Sequence, residues 1–169
     1  AAEATKAMME YNGPVCYRCG YKKEPDIYSG EVEFKIGKAN IIKKGKDATV
    51  IFSGTIGYNC KLAVEQLAKE GINCRLISMH TIKPIDKEAI VSAAKDTGAI
   101  ITVEEHNLCG GLGSAVAEAL MDEGVGDVRF TRIALPDVNV TKVGSQSWLR
   151  EQYGLGKDSI SNAIKELIN

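Results

Sequence analysis

The chain has 169 residues, of which 44% are hydrophobic, and a formal net charge of -1. This length and composition allow one well-buried core, and the balanced charge gives no long-range attraction to nucleic acid or to an anionic membrane. No apolar run approaches the roughly 20 residues that a membrane span requires, and no signal-peptide pattern is present, so we predict a cytoplasmic protein.

The N-terminal residues form the end of a helix–strand unit. The spacing of apolar residues predicts a helix over residues 3–11, and residues 14–19 are typical of a strand. A strand needs neighbours, and the sequence offers no partner for this one. We therefore expect this unit to be a piece of something larger, or to dock on it.

Five cysteines, an odd number, lie mostly in apolar patterns. This favours reduced, buried thiols over a disulfide framework. Cys16 and Cys19 form a CxxC sequence, for which a metal or redox site is the alternative to structural thiols. No second CxxC or histidine pair completes a zinc site, and strand positions three apart point to opposite faces, so we prefer structural thiols.

A regular succession of strands and helices follows a polar connection at 20–30 and an alternating edge strand at 31–36. Predicted strands 40–43 and 48–53 flank a tight turn, which favours an antiparallel hairpin. The later elements are helix 59–69, strand 74–78, helix 87–96, strand 99–103, helix 115–122, strand 128–133 and helices 146–152 and 158–167. This alternation predicts an α/β fold, a three-layer, five-stranded, mostly parallel sheet with the first strand antiparallel and helices on both faces.

Polar residues and glycines gather where the predicted strand 99–103 meets the next helix. We call this group the elbow, and its members are Glu104, Glu105, His106, Gly110, Gly111 and Gly113. It lies at the strand end where open α/β sheets meet ligands and partners. The glycines allow a sharp turn, and Ser114 is predicted to be the N-cap of the following helix.

The elbow admits both functional and structural interpretations. Its glycines lack the GxGxxG spacing and the Lys-Ser/Thr of a P-loop, so we prefer tight helix-on-strand packing to a phosphate cradle. His106 beside two carboxylates fits a general base, yet one histidine in an acidic loop is more often a surface or interface residue. We expect the interface role.

Six short phrases are spread over most of the chain. They are IGKA at 36–39, DATVI at 47–51, IKPID at 82–86, VEEH at 103–106, GGLGS at 110–114 and YGL at 153–155. With these six phrases in this order, the chain closely resembles the C-terminal region of transketolases. The resemblance implies that residues 1–25 are the tail of a preceding pyrimidine-binding domain, 26–37 a linker and edge strand, and 38–169 the transketolase C-terminal-like domain.

The resemblance also implies transfer of a two-carbon ketol unit between sugar phosphates, with thiamine diphosphate and a divalent metal (Mg or Ca). In the family an N-terminal domain holds this cofactor through Gly-Asp-Gly, and a glutamate of the middle domain activates its pyrimidine. This sequence has no Gly-Asp-Gly and starts after the place of that glutamate. We therefore expect no catalytic, cofactor-binding or metal-binding residues here, and no catalysis by this chain alone.

Partners are implied by the same resemblance. We expect an N-terminal cofactor-binding section, in the same chain or in a separate subunit, and a homodimer. In the family this domain packs on the other two and contributes to the dimer contact. The elbow is therefore expected to lie at a domain or subunit interface.

One departure concerns the sugar phosphate. Many family members have Arg-x-x-Arg, whose second arginine contacts that phosphate, whereas this sequence has Arg18 followed by Tyr21. Tyrosine donates a hydrogen bond but lacks the charged fork of arginine. Lys22 or Lys23 would compensate as point charges, and solvation of a linker is the alternative. Arg18, Tyr21 and Lys22 are the candidate phosphate residues.

Two competing functions remain open. One is the corresponding region of a deoxyxylulose-phosphate synthase or of a 2-oxoacid dehydrogenase β subunit, which share this domain. The other is a non-catalytic α/β interaction module. The N-terminal unit argues against the module, because alone it would expose Met8, Met9, Val15 and Tyr17 to water.

Overall fold

The computed structural model describes residues 1–20 and 24–169. Its strands are β1 (Asn40–Lys43), β2 (Ala48–Ser53), β3 (Cys74–Ser78), β4 (Ala99–Asn107) and β5 (Arg129–Leu135). Its helices are α1 (Ala2–Glu10), α2 (Gly57–Lys69), α3 (Lys87–Thr97), α4 (Leu112–Asp122), α5 (Gln146–Gln152) and α6 (Lys157–Ile168). A short 3-10 turn, Gly54–Ile56, joins β2 to α2.

The five strands form one sheet in the order β1-β3-β2-β4-β5. Strands β2 to β5 run parallel, and β1 is antiparallel to β3 at one edge. The predicted α/β fold with one antiparallel strand is confirmed. Strand β2 is central because every residue before Ser53 is buried, as expected of a strand covered on both faces.

The predicted hairpin between β1 and β2 is wrong. Strand β3 lies between them, and the loop after β1 crosses its start, where the backbone N–H groups of Lys46 and Asp47 donate to the carbonyl of Asn73. A hairpin would occupy the edge of β2 that pairs with β3. The half-exposed β1, with Ile41 facing solvent, lies instead at the sheet edge.

Two apolar cores cover the two faces of the sheet. Alternate residues of β2 divide between them, with Val50 and Phe52 in one core and Ile51 in the other. Helices α2 and α6 supply the first core, through residues such as Leu67 and Ile164. Helices α3 and α4 supply the second. No helix in the described ranges is long and apolar enough to cross a membrane.

The two strands predicted before β1 do not form. Residues 14–19 and 31–36 have no regular structure, and only the helix α1 of the N-terminal unit is present. A strand requires a neighbour to take up its backbone hydrogen bonds, and neither segment has one in the described chain. The second segment is held by side chains instead, because the Asn40 amide donates to the carbonyl of Glu33.

The prediction of buried thiols holds for two of the five cysteines. Cys60 and Cys74 are buried, whereas Cys16, Cys19 and Cys109 are exposed, and all five are free. For the CxxC pair the error has the same cause as the missing strand, since residues 14–19 do not pack on the sheet. Burial raises the pKa of the Cys74 thiol to about 11.

Candidate functional site

The elbow lies where the strand order of the sheet reverses. Strand β2 leads to β3 on one side, and β3 then leads to β4 on the other side of β2. The ends of β2 and β4 are therefore adjacent, and Ser53 pairs with Glu104. In open α/β sheets this reversal is where a crevice for ligands forms.

Glu104 closes the N-terminus of α4. Its side chain is buried, and its two oxygens accept hydrogen bonds from the backbone N–H groups of Leu112 (2.6 Å) and Gly113 (2.7 Å). The first turn of a helix has unpaired donors and a partial positive charge, both of which favour a carboxylate. The carboxylate therefore occupies the position that an anionic ligand would take.

Two of the elbow glycines are required by this packing. A Cβ atom on Gly111 would overlap the carboxylate of Glu104. On Gly113 it would lie 2.6 Å from the Arg132 side chain and 2.8 Å from the hydroxyl of Thr102. These contacts agree with the preferred interpretation of the glycines as packing residues.

The boundaries of the elbow differ from those predicted. Strand β4 continues to Asn107, and α4 begins at Leu112, so Ser114 lies inside the helix and is not its N-cap. The reason is that the carboxylate of Glu104, which lies on β4, caps the helix in place of Ser114. The Ser114 hydroxyl accepts instead from the backbone N–H of Gly110 at 3.0 Å.

Glu105 faces a buried arginine that the sequence analysis did not single out. Arg150, on α5, donates through Nε to Glu105 Oε1 (2.8 Å) and through Nη2 to Oε2 (3.0 Å). Thr55 donates its hydroxyl to Oε2 at 2.5 Å, and the Gln146 amide donates to Oε1 at 3.2 Å. This two-pronged pair lies at the strand reversal.

These contacts keep both groups charged. Burial by itself would raise the pKa of Glu105, but hydrogen bonds from Arg150 and Thr55 outweigh burial and hold the pKa below its ordinary value. Burial likewise opposes the charge of Arg150, and its hydrogen bond with Glu105 outweighs burial and raises its pKa. Neither group is poised to exchange a proton near neutral pH, so the pair acts as a structural contact.

Arg150 also contacts the connecting segment, residues 24–39. Its Nη2 atom donates to Glu24 Oε1 at 3.2 Å and to the Thr55 hydroxyl at 3.0 Å. The arginine side chain is only 7% exposed, so little water competes for these bonds. One guanidinium therefore joins the connecting segment, the 3-10 turn and the end of β4.

The remaining sequence-predicted residues do not join this cluster. His106 is exposed, and its Nδ1 donates to the carbonyl of Asn107 at 2.9 Å. Gly110 is exposed at the turn. Arg18 is exposed in the irregular stretch after α1, and Tyr21 and Lys22 lie outside the described residues.

His80 is a second site residue that sequence reasoning missed. It follows β3 at the same edge of the sheet, and its ring stacks on Phe34 with centroids 4.1 Å apart. Its ring nitrogens form hydrogen bonds with Asn40 (2.8 Å) and Thr81 (3.0 Å). Burial lowers its pKa, against the opposing charge of Asp86. The stack holds the connecting segment against the sheet.

The side chains around Glu104 and Glu105 do not form a binding site for a diphosphate or a metal ion. Glu104 fills the N-terminus of α4 with negative charge, which would repel a diphosphate there. Within residues 1–20 and 24–169, no group of three or more His, Cys, Asp or Glu side chains is placed to hold a metal. The described residues therefore do not fit thiamine diphosphate with its metal.

The geometry defines an α/β domain that places its own paired charged side chains at the strand reversal. Residues 37–160 match the family model of the transketolase C-terminal domain. The chain belongs to the transketolase family, as a C-terminal section. The resemblance inferred from the six sequence phrases is thus confirmed.

Its relatives include subunits of divided enzymes. The chain is 41% identical over 164 residues to one subunit of the apulose-4-phosphate transketolase of Phocaeicola vulgatus, covering 96% of this chain and 51% of that protein. It is 36% identical over 164 residues to 1-deoxy-D-xylulose-5-phosphate synthase of Heliobacterium modesticaldum, covering 96% of this chain and 25% of that protein. The chain thus spans about half the length of the first relative.

A solved structure resembles the whole chain. It is a split gene transketolase described as an inactive beta4 tetramer, with a TM-score of 0.90 and 34% sequence identity. The match covers 98% of this chain and 54% of that one. The likeness therefore includes the N-terminal residues, beyond the range of the family model.

Proposed function

We propose that this chain is the C-terminal part of one subunit of a divided transketolase, which transfers a two-carbon ketol unit between sugar phosphates. The observation that carries the proposal is the likeness over 98% of the chain to the split gene transketolase. Thiamine diphosphate and a divalent metal, Mg or Ca, would be bound by an N-terminal section and would supply the carbanion chemistry. This chain would contribute packing and contacts to the sugar phosphate.

The elbow is the part of the chain that we assign to this packing. Its exposed members, His106 and Gly110, would face the neighbouring domain or subunit of a homodimer. Glu104, Gly111 and Gly113 lie behind them and hold the turn in shape. The five free thiols are the state that a reducing compartment maintains, so we extend the proposal to a cytoplasmic location.

Reconstitution of the complete enzyme tests the activity. The subunit containing this chain is mixed with the N-terminal section, thiamine diphosphate and Mg²⁺, and supplied with xylulose 5-phosphate and ribose 5-phosphate. We expect sedoheptulose 7-phosphate to form only when both sections are present. Absence of product with these and with other phosphorylated ketoses would contradict the transketolase proposal. The mass of the assembly in solution tests the homodimer.

The synthase relatives favour one alternative, synthesis of a deoxyxylulose phosphate from pyruvate and glyceraldehyde 3-phosphate with loss of CO₂. A synthase is 36% identical over nearly the whole chain. The same reconstituted enzyme is therefore given pyruvate and glyceraldehyde 3-phosphate. Release of CO₂ without any ketol transfer would replace the transketolase proposal with the synthase.

Arg18, Tyr21 and Lys22 are proposed to bind the sugar phosphate. Arg18→Ala in the complete enzyme should raise KM for xylulose 5-phosphate about tenfold or more, because a charged hydrogen bond to phosphate contributes well over 1 kcal/mol. Tyr21→Phe should raise it less. Unphosphorylated xylulose is the matched control substrate, and an equal change in its KM would remove these residues from the phosphate site.

A further inference from the structure

Segment 31–36 has the side-chain pattern of a strand but lacks a strand partner in the described chain. Its charged side chains are exposed and its apolar ones are partly buried, in strict alternation: Glu31, Val32, Glu33, Phe34, Lys35, Ile36. This period of two is typical of a strand with one covered face. The covered face is held by the stack of Phe34 on His80. The segment is therefore oriented like an edge strand although nothing pairs with its backbone.

One edge of this segment faces the sheet and the other edge is open. The backbone carbonyl of Glu33 accepts a hydrogen bond from the side chain of Asn40 on β1 at 2.8 Å. In a strand the N–H and C=O of one residue point to one edge, and those of the next residue point to the opposite edge. The backbone groups of Val32 and Phe34 thus point away from β1, and they have no partner within residues 1–20 and 24–169. An open edge of this kind is a template for another strand.

The exposed face of the segment carries two opposite charges that the chain itself does not use. Glu33 and Lys35 form no ion pair among the described residues, whereas the nearby Lys38 is paired with Asp86 and Glu88. Opposite charges directly across from each other stabilise a pair of strands. A second strand that presents a lysine opposite Glu33 and a glutamate opposite Lys35 would therefore be complementary, and an antiparallel copy of the same segment presents both.

Charge and symmetry together select one register for such a pairing. In a two-fold contact, residue i lies opposite residue j of the second copy and j lies opposite i, so two identical strands run antiparallel. When Phe34 lies opposite its own copy, Glu33 lies opposite Lys35 on both sides of the axis. A shift to either neighbouring register that keeps the same faces together places Glu33 opposite Glu33, or Lys35 opposite Lys35, and like charges repel. The favoured register also directs the open backbone groups of Phe34 toward each other.

We propose that segment 31–36 is a self-pairing strand, which binds the same segment of a second copy of this chain with Glu33 opposite Lys35 on both sides of a two-fold axis. The partner is a second copy because this segment is complementary in charge to itself in one register. The strand predicted from the alternation of residues 31–36 then forms on association. This contact is separate from the elbow and does not depend on the proposed catalytic activity.

Charge-reversal variants of the full subunit test the register. Glu33→Lys and Lys35→Glu each place like charges opposite each other, so each should weaken self-association about tenfold or more in sedimentation equilibrium. The double variant exchanges the two charges and should restore the association constant to within about threefold of the unmodified subunit. Glu31→Lys is the matched control. It changes the net charge as Glu33→Lys does, but it lies opposite Gly37 of the second copy and should change the constant less than about threefold.

Backbone hydrogen exchange provides a second readout, which reports the segment directly. The N–H groups of Val32 and Phe34 should exchange about tenfold more slowly at concentrations where the subunit is associated than where it is dissociated. The N–H of Glu33 points to the other edge and should change less. Raising the salt concentration should weaken the association of the unmodified subunit more than that of a variant with an alanine at position 33 and one at position 35, because salt screens exposed charges.

Three results would overturn the proposal. The first is an association constant that is the same in the unmodified subunit and in every variant, or no self-association at all, because assembly would then not use this segment. The second is a double variant as weak as the single ones, since the register predicts recovery. The third is equally slow exchange of Val32 and Phe34 at every concentration, which would show that the rest of the subunit covers the segment. None of these measurements requires catalysis, so a failure of the proposed function is a separate result.

Discussion

Glu104 and Glu105 are consecutive residues of β4, yet their carboxylates bind different kinds of partner. Side chains alternate along a strand, so Glu104 reaches the backbone N–H groups of α4 whereas Glu105 reaches Arg150 and Thr55. Glu104 as a whole residue is 4% exposed, and the side chain of Glu105 is 25% exposed. A carboxylate bound by backbone holds one strand and its helix together, whereas one bound by side chains joins distant parts of the chain.

The largest effect is expected from Glu104. Glu104→Ala leaves two buried N–H groups without an acceptor and should lower the free energy of unfolding by about 3 kcal/mol. Glu104→Gln keeps one accepting oxygen and should cost about half as much. Chemical denaturation measures both, and Glu118→Ala on the exposed face of α4 is the control. A cost for Glu104→Ala no larger than that of the control would contradict the capping role.

Arg150→Met should have the next largest effect. It keeps the length and packing of the side chain but leaves Glu105 and Glu24 without their cation. Because Glu105 retains some contact with water, we expect a loss of about 2 kcal/mol, below the value for a fully buried pair. Lys165→Met, at the exposed pair with Glu70, should cost far less. Equal losses would show that burial of Arg150 has no energetic importance.

Thr55→Val should cost about 1.5 kcal/mol, the lower end of the range for a hydrogen bond with a charged partner. The hydroxyl donates to Glu105 at 2.5 Å and accepts from Arg150 at 3.0 Å. A double-mutant cycle with Arg150→Met measures the coupling, because a residue that acts only through this pair should lose its effect once the arginine is gone. If the free-energy losses of the two substitutions simply add, Thr55 acts independently of the Arg150–Glu105 pair.

The smallest effect is expected in the pH dependence of stability. The folded-state pKa of Glu105 lies below its ordinary value of 4.5, so its pairing stabilises the fold fully above that pH. The contribution is lost as the pH falls through the lower folded value. The unmodified protein should therefore have a higher free energy of unfolding than Glu105→Gln, and this difference should shrink only below about pH 4.5. A difference between the two that stays constant down to pH 2 would contradict this.

Local signals account for what could be predicted from the sequence. Strand β3, with the apolar Leu76 and Ile77 near its centre, and helix α5 match their predicted ranges. Ser145 caps α5 by accepting from the Trp148 N–H at 3.2 Å. The alternation of strands and helices was sufficient to predict a mostly parallel sheet. The antiparallel direction of β1 was also predicted, although its partner is β3 and not β2. These features depend on residues close together in the chain.

The misses involve partners that are far apart in the sequence. The neighbour of β1 depends on which strand occupies the edge of β2. The buried position of Arg150 depends on the carboxylates of Glu24 and Glu105, which lie far from it in the sequence. An arginine in a short, polar helix carries no signal of burial by itself. The polar residues after Val103 looked like the end of a strand, because only the fold shows that both carboxylates have donors.

The contact between Arg150 and Glu24 also has a consequence for the order of folding. Its two residues are 126 positions apart, so Glu24 is synthesised long before its partner. Closing so long a loop costs conformational entropy that the sheet must first offset by bringing the ends together. During synthesis the connecting segment therefore stays unanchored at this point until α5 has left the ribosome. Docking of that segment at Arg150 thus follows the synthesis of α5.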